Sequence, residues 1–150
     1  MSKKILIIFS TVGGNTELVV DAVANLLAPD IFEITKKRPE ISDPQEIKNF
    51  DLTILASPTY NQGTLEDNFK NFIKAFIKED FSNQKFAIIG LGDSKYYPEY
   101  LTESASILED IIKKTGGQMV VPALRIGVNP IKMLDKLVPK WVDKLKLADI

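Results

Sequence analysis

Three short segments gather the residue types from which a ligand site is built: Ser10-Thr11-Val12-Gly13-Gly14-Asn15-Thr16, Ser57-Pro58-Thr59-Tyr60-Asn61-Gln62-Gly63 and Gly92-Asp93-Ser94-Lys95-Tyr96-Tyr97. In the first, two glycines let the backbone approach a bound group, and three hydroxyls plus an amide ring a helix start. Orphan amides and the helix dipole make that an anion site without any Lys or Arg. The plainer reading of the same residues is a tight strand-to-helix turn with Asn15 as N-cap. No Gly-Lys-Ser/Thr closes the segment, so it is not a Walker loop. The dinucleotide fingerprint also fails, since it needs a third glycine three residues after the second, and Gly90-Leu91-Gly92 matches no better.

The other two segments each set a tyrosine among small polar residues. An exposed tyrosine alone usually packs against its own loop; two flanking one crevice suit a planar ring held between them. The chain has no Cys and no His among its 150 residues. That excludes a disulfide framework, a zinc finger, a thiol nucleophile and a Ser-His-Asp triad, and removes the usual general base at neutral pH. No metal-binding set or catalytic side chain is expected, so any redox or group chemistry must come from something bound.

The elements that must position these loops follow from hydrophobic spacing. With 45% hydrophobic and 26% charged residues, the chain is expected to form a single domain over residues 1–150. Five apolar, β-branched runs read as strands: Ile5 to Phe9, Ile31 to Thr35, Leu52 to Ala56, Phe86 to Leu91 and Met119 to Leu124. The first, third and fourth are nearly continuous in apolar residues, as expected of central strands covered on both faces. Between them, Leu18, Val19, Ala22, Val23 and Leu26 mark a helix from Asn15 that must stop before Pro29. Leu65, Phe69, Phe72, Ile73 and Phe76 mark another, with Lys70, Lys74 and Lys78 on its wet side. Ile107, Leu108, Ile111 and Ile112 mark the next, ended by Gly116-Gly117. The last runs from about Ile131 to Leu147, with Leu134, Leu137, Val138, Trp141 and Leu145 inward and Pro139 kinking or restarting it. Asp43-Pro44-Gln45-Glu46 has a capping-box pattern, which places a short helix after the second strand.

Strands alternating with helices predict a parallel sheet with right-handed crossovers in a three-layer sandwich. Ligands in such sheets bind beyond the carboxyl ends of the strands where strand order reverses, and the loops after strands one, three and four are the three segments above. Phosphorelay receivers share the topology but need acids at the ends of strands one and three, which here carry Ser10 and Ser57.

Taken together the three loops resemble those of flavodoxins, the small FMN-binding electron carriers, and the resemblance spans the whole chain. Thr11-Val12-Gly13-Gly14-Asn15-Thr16 is similar to the family's phosphate loop; Pro58-Thr59-Tyr60-Asn61 and Gly92-Asp93-Ser94-Lys95-Tyr96 are similar to its two isoalloxazine loops. Strand five lacks a long insertion, as in the short-chain type. The resemblance implies a flavodoxin-like three-layer α/β/α sandwich with a five-stranded parallel sheet in the order 2-1-3-4-5. It also implies FMN held by Ser10, Thr11, Asn15, Thr16 and the backbone of Val12, Gly13 and Gly14, with Thr59 helping. Tyr96 would stack on the outer flavin face and Tyr60 cover the inner one, with Pro58, Asn61, Gly63, Gly92 and Asp93 framing the ring. Gly13 departs from the family, which has a hydroxyl there, and so removes one phosphate hydrogen bond. Glycine at Asn61 would make the peptide flip of the half-reduced flavin cheaper, so Asn61 implies weaker stabilisation of that state.

By the same resemblance, acids such as Glu66, Asp67, Asp93 and Glu99 around the ring would lower its second potential. The implied role is a one-electron carrier rather than an enzyme. It would be a cytoplasmic monomer that takes electrons from a ferredoxin/flavodoxin NADP reductase or similar flavin reductase and gives them to acceptor redox enzymes. The alternatives are a flavodoxin-like quinone or azo reductase using NAD(P)H, for which an expected insertion is missing, and an accessory subunit that has lost FMN, favoured only by Gly13. Net charge is -1, from 19 basic and 20 acidic residues, so no bulk field draws the chain to nucleic acid or an anionic membrane, and no apolar run approaches the length of a span. The charge is segregated: residues 57–110 carry 5 basic and 9 acidic residues, residues 111–150 carry 8 and 3. Lys132, Lys136, Lys140 and Lys144 form either a docking feature or only a solvated helix face.

Overall fold

Aliphatic runs of this kind satisfy their backbone by pairing with one another, and the pairing is what organises the chain. The computed structural model describes residues 3–11, 14–27, 31–59, 65, 67–92, 103–127, 132 and 134–150. The strands β1 (Lys3–Phe9), β2 (Phe32–Lys37), β3 (Leu52–Pro58) and β4 (Lys85–Leu91) are joined in parallel in the order β2-β1-β3-β4. At the fifth position stand two short strands, β5 (Gln118–Met119) and β6 (Leu124–Ile126), both parallel to β4. The order 2-1-3-4-5 is therefore as expected, but the fifth strand is not continuous from Met119 to Leu124. Gln118 faces Lys85 and Leu124 faces Ile89, so 120–123 put four residues opposite two of β4. Pro122, which has no N–H to give to a ladder, lies in that bulge. The Trp141 indole N–H donates to the Pro122 carbonyl at 2.8 Å, which satisfies one group the bulge leaves unpaired.

Alternation along the central strands divides the core between two faces. Ile5, Ile7 and Phe9 join Ile54, Ala56, Ile89, Val19, Val23, Val138 and Trp141 on the side of α1 (Asn15–Leu26) and the last helix, while Leu6 and Ile8 join Leu55, Ile88 and five phenylalanines on the other. That second face is covered by α2 (Asp67–Phe76) and α3 (Glu103–Lys114), and there the tilted rings of Phe76 and Phe81 meet at 4.5 Å between centres. α3 ends at Gly116-Gly117, with Gly117 N–H bonded to the Ile112 carbonyl.

Some details differ from the periodic reading. In α1 the buried residues are Thr16, Val19, Val20 and Val23, whereas Leu18 and Leu26 are 44% and 40% exposed. The inward stripe is thus rotated toward Thr16 and Val20. The last helix fully described, α4, is Leu137–Leu147; a turn at 134–136 precedes it, and Pro139 lies in its first turn, where a missing N–H costs nothing. Leu137 is exposed and Val142 takes its inward place. After β2, the connection is a 3-10 turn, Pro39–Ile41, and a 3-10 helix, Pro44–Asn49, with the capping box on Asp43 and Glu46 formed.

Candidate functional site

Parallel pairing brings the carboxyl ends of β1, β3 and β4 side by side, with Phe9 opposite Ala56 and Pro58 opposite Leu91. The pairing runs on into the loops: Ser10 N–H donates to the Ala56 carbonyl at 3.1 Å, Thr59 N–H to Leu91 at 2.6 Å and Gly92 N–H to Ile126 at 2.9 Å. All three ligand-like segments therefore leave one edge of the sheet together.

The first loop turns sharply into α1. Gly14, at φ +90, is the N-cap and its carbonyl accepts Leu18 N–H at 3.1 Å. Nothing lies within 4 Å of a Cβ placed there, so glycine answers to backbone conformation and not to crowding. Asn15, the expected N-cap, is instead the first helical residue. Thr11 Oγ1 accepts Gly14 N–H at 3.0 Å and holds the turn closed. On either side of it, the hydroxyls of Ser10 and Thr16 are buried, each residue being 1% exposed, and neither has a hydrogen-bond partner among the described residues. Two buried hydroxyls beside amides that a helix start leaves free form a donor-rich cradle for a small oxyanion.

The second loop is tied to α3 through a residue that sequence reasoning did not single out. Ser104 N–H donates to Thr59 Oγ1 at 3.1 Å, Thr59 Oγ1 donates to Ser104 Oγ at 3.2 Å, and Ser104 Oγ donates to the Ser57 carbonyl at 3.1 Å. Thr59, expected to reach an anion, thus spends its hydroxyl on fixing the loop. Ser104 follows the spacing of Leu108 and Ile112 on the buried face of α3, and a hydroxyl on an apolar stripe was the available signal. Ser57 Oγ donates to the Pro58 carbonyl at 2.9 Å.

Other expected residues fall outside the described ones: Val12 and Gly13 in the first loop, Tyr60, Asn61 and Gly63 in the second, Asp93 and Tyr96 in the third, and the acids Glu66 and Glu99. Two described carboxyls sit below their ordinary range, and neither is at this edge's loops. Glu46 is lowered first by its hydrogen bond from Lys37, and Asp80 by the hydroxyl and amide of Ser82.

Comparisons with known proteins point the same way as the loops. A family profile described as Flavodoxin matches residues 7–141. The chain is 32% identical over 128 residues to "Probable flavodoxin 2" of Bacillus subtilis (strain 168), spanning 85% of this chain and 83% of that protein. Among solved structures, oxidised flavodoxin 2 from Bacillus cereus superposes with a TM-score of 0.87 at 27% identity, over 96% of this chain and 98% of that one. A Fusobacterium nucleatum flavodoxin bound to flavin mononucleotide gives a TM-score of 0.81 over 97% of this chain and 98% of that one; at 24% identity it bears on the fold alone.

Proposed function

We propose, from the premise that this chain belongs to the flavodoxin family, that it is a single FMN-binding domain carrying one electron at a time. Its donor would be a ferredoxin/flavodoxin NADP reductase or a similar flavin reductase and its acceptors other redox enzymes, met as a cytoplasmic monomer. The observation that carries this reading is the pair of buried hydroxyls, Ser10 Oγ and Thr16 Oγ1, which flank the turn at Gly14 and have no partner among the described residues. A phosphate monoester at neutral pH offers mainly acceptors, and these donors plus the first-turn amides of α1 match it without a cation in the loop.

FMN, when bound, supplies reversible one-electron chemistry through its ring. The chain's own part is to bind and orient. Ser10, Thr11, Val12, Gly13, Gly14, Asn15 and Thr16 would hold the phosphate, and Thr11 keeps the turn in shape by accepting Gly14 N–H. Pro58, Thr59, Tyr60, Asn61 and Gly63 would frame the ring from a loop whose start the Ser57–Thr59–Ser104 hydrogen bonds pin to α3, and Gly92, Asp93 and Tyr96 would frame it from the loop after β4. The chain has no His and no Cys to act as a tuned acid or base, which favours a carrier over a reductase with its own substrate.

The test is uptake of FMN by the purified protein, its release in acid, and a visible spectrum during stepwise reduction. Slow reduction by NADPH alone that becomes fast when a flavin reductase is added supports the carrier. Protein that does not take up added FMN would overturn the reading.

A further inference from the structure

The phosphate loop itself contains no cation, yet the fold brings one to its rim. β2 pairs with β1 so that Ile7 faces Lys36 and Ile8 faces Lys37, and the same register carried one residue on sets Arg38 beside Phe9. The Arg38 guanidinium carbon lies 5.4 Å from the centre of the Phe9 ring, and Phe9 immediately precedes Ser10. On the same face of β2, Lys36 reaches Asp21 of α1 at 2.8 Å. From Lys36 to Arg38 the strand advances roughly 6.6 Å. Over nearly that distance, four residues or roughly 6 Å, α1 returns from Asp21 to Glu17, because a crossover helix runs against its strands. Arg38 therefore stands level with the first turn of α1, the turn that carries Thr16.

Its charge is only partly offset. Arg38 Nε is 3.4 Å from Glu40 Oε1, and the two terminal nitrogens have no partner among the described residues. The neighbouring cations are committed elsewhere, Lys36 to Asp21 and Lys37 to Glu46. The acid at the same level of α1 is Glu17, which is exposed.

We propose that Arg38 is a positioning residue that biases the site toward a phosphorylated flavin by acting on the phosphate through space, from its seat on Phe9. The proposal rests on the FMN reading above. A unit charge within about a Debye length of a phosphate in a partly wet site is expected to change affinity by about threefold to tenfold at low salt, and less at high salt.

Flavin-free protein should be titrated with FMN and with riboflavin, which lacks the phosphate, at about 0.01 M and about 0.5 M salt. Arg38→Met keeps much of the stacked side chain and removes the charge. It is expected to weaken FMN about threefold to tenfold at low salt, to leave riboflavin within about twofold, and to lose most of its effect at high salt. Arg38→Lys should retain the preference, and Glu40→Gln should tighten FMN by freeing the guanidinium. Equal weakening of both flavins would assign Arg38 a packing role on Phe9 and overturn the proposal. Unchanged FMN affinity in Arg38→Met would overturn it while leaving the FMN reading intact. A wild-type protein that binds neither flavin overturns both.

Discussion

Ser10 and Thr16 have an uncommon energetic position: each buries a hydroxyl that nothing else among the described residues satisfies. Such a group costs a folded chain about 1–3 kcal/mol, and the cost is relieved only when an acceptor arrives. The two states should therefore respond to mutation with opposite signs. Ser10→Ala and Thr16→Val are expected to raise the stability of the flavin-free protein by about 1 kcal/mol in urea denaturation, and to weaken FMN about tenfold each. A variant that destabilises the flavin-free protein would show that its hydroxyl has an internal partner. The residue types of this loop were legible in the sequence because a strand, two glycines and a helix start lie within one short segment. Ser104 and Arg38 were not, because their link to the site is made across the fold, by α3 landing on the second loop and by the register of β2 against β1.

At the scale of elements, one tight constraint is where α3 packs on β4. A Cβ on Gly90 would come within 2.6 Å of Ala105 Cβ and 3.0 Å of its backbone nitrogen. Gly90, which reads in the sequence as part of the fourth strand and of a failed dinucleotide motif, is thus a packing glycine that lets α3 sit close enough for Ser104 to reach the second loop. Gly90→Ala is expected to cost about 1–3 kcal/mol, read from the urea midpoint, because backbone must move to admit the methyl. A change within about 0.5 kcal/mol would mean α3 shifts freely. Helix and strand existence was legible from apolar spacing, since burial imposes the period directly. The bulge between β5 and β6 was not, because Val120, Val121 and Leu124 look like strand residues whether or not they pair; register against β4 and the Trp141 bond to Pro122 decide it. Leu18 and Leu26 were misread for a similar reason: spacing marks a helix but does not say which part of an apolar stripe meets the sheet.

For the whole molecule, the fold changes what the charge pattern means. The basic segment 111–150 is divided by the sheet: Lys113 and Lys114 end α3 on one face, Arg125 pairs there with Glu109 at 2.9 Å, and exposed Lys136, Lys140 and Lys144 line α4 on the other. Among the described residues the basic groups form no single pole, so on the proposed reading any steering comes from the acids of the segment that holds the two proposed flavin loops. On this reading, electron transfer to a partner with a basic docking patch should slow several-fold between about 0.05 and 0.5 M salt, measured by stopped flow. Substituting the α4 lysines should alter that dependence little, and rates indifferent to salt would count against steering.

By itself, the sequence determined the layer architecture, the strand order through its family likeness, and the three loops, because periodicity and turn chemistry are local properties written within a few residues. Only the tertiary structure decided that the loops leave one edge beside two hydroxyls unsatisfied among the described residues, that Thr59 is held by Ser104, that the fifth strand is broken, and that Arg38 stands over Phe9, next to Ser10. Each of those depends on register and close approach between segments far apart in the chain, and no local pattern encodes such distances.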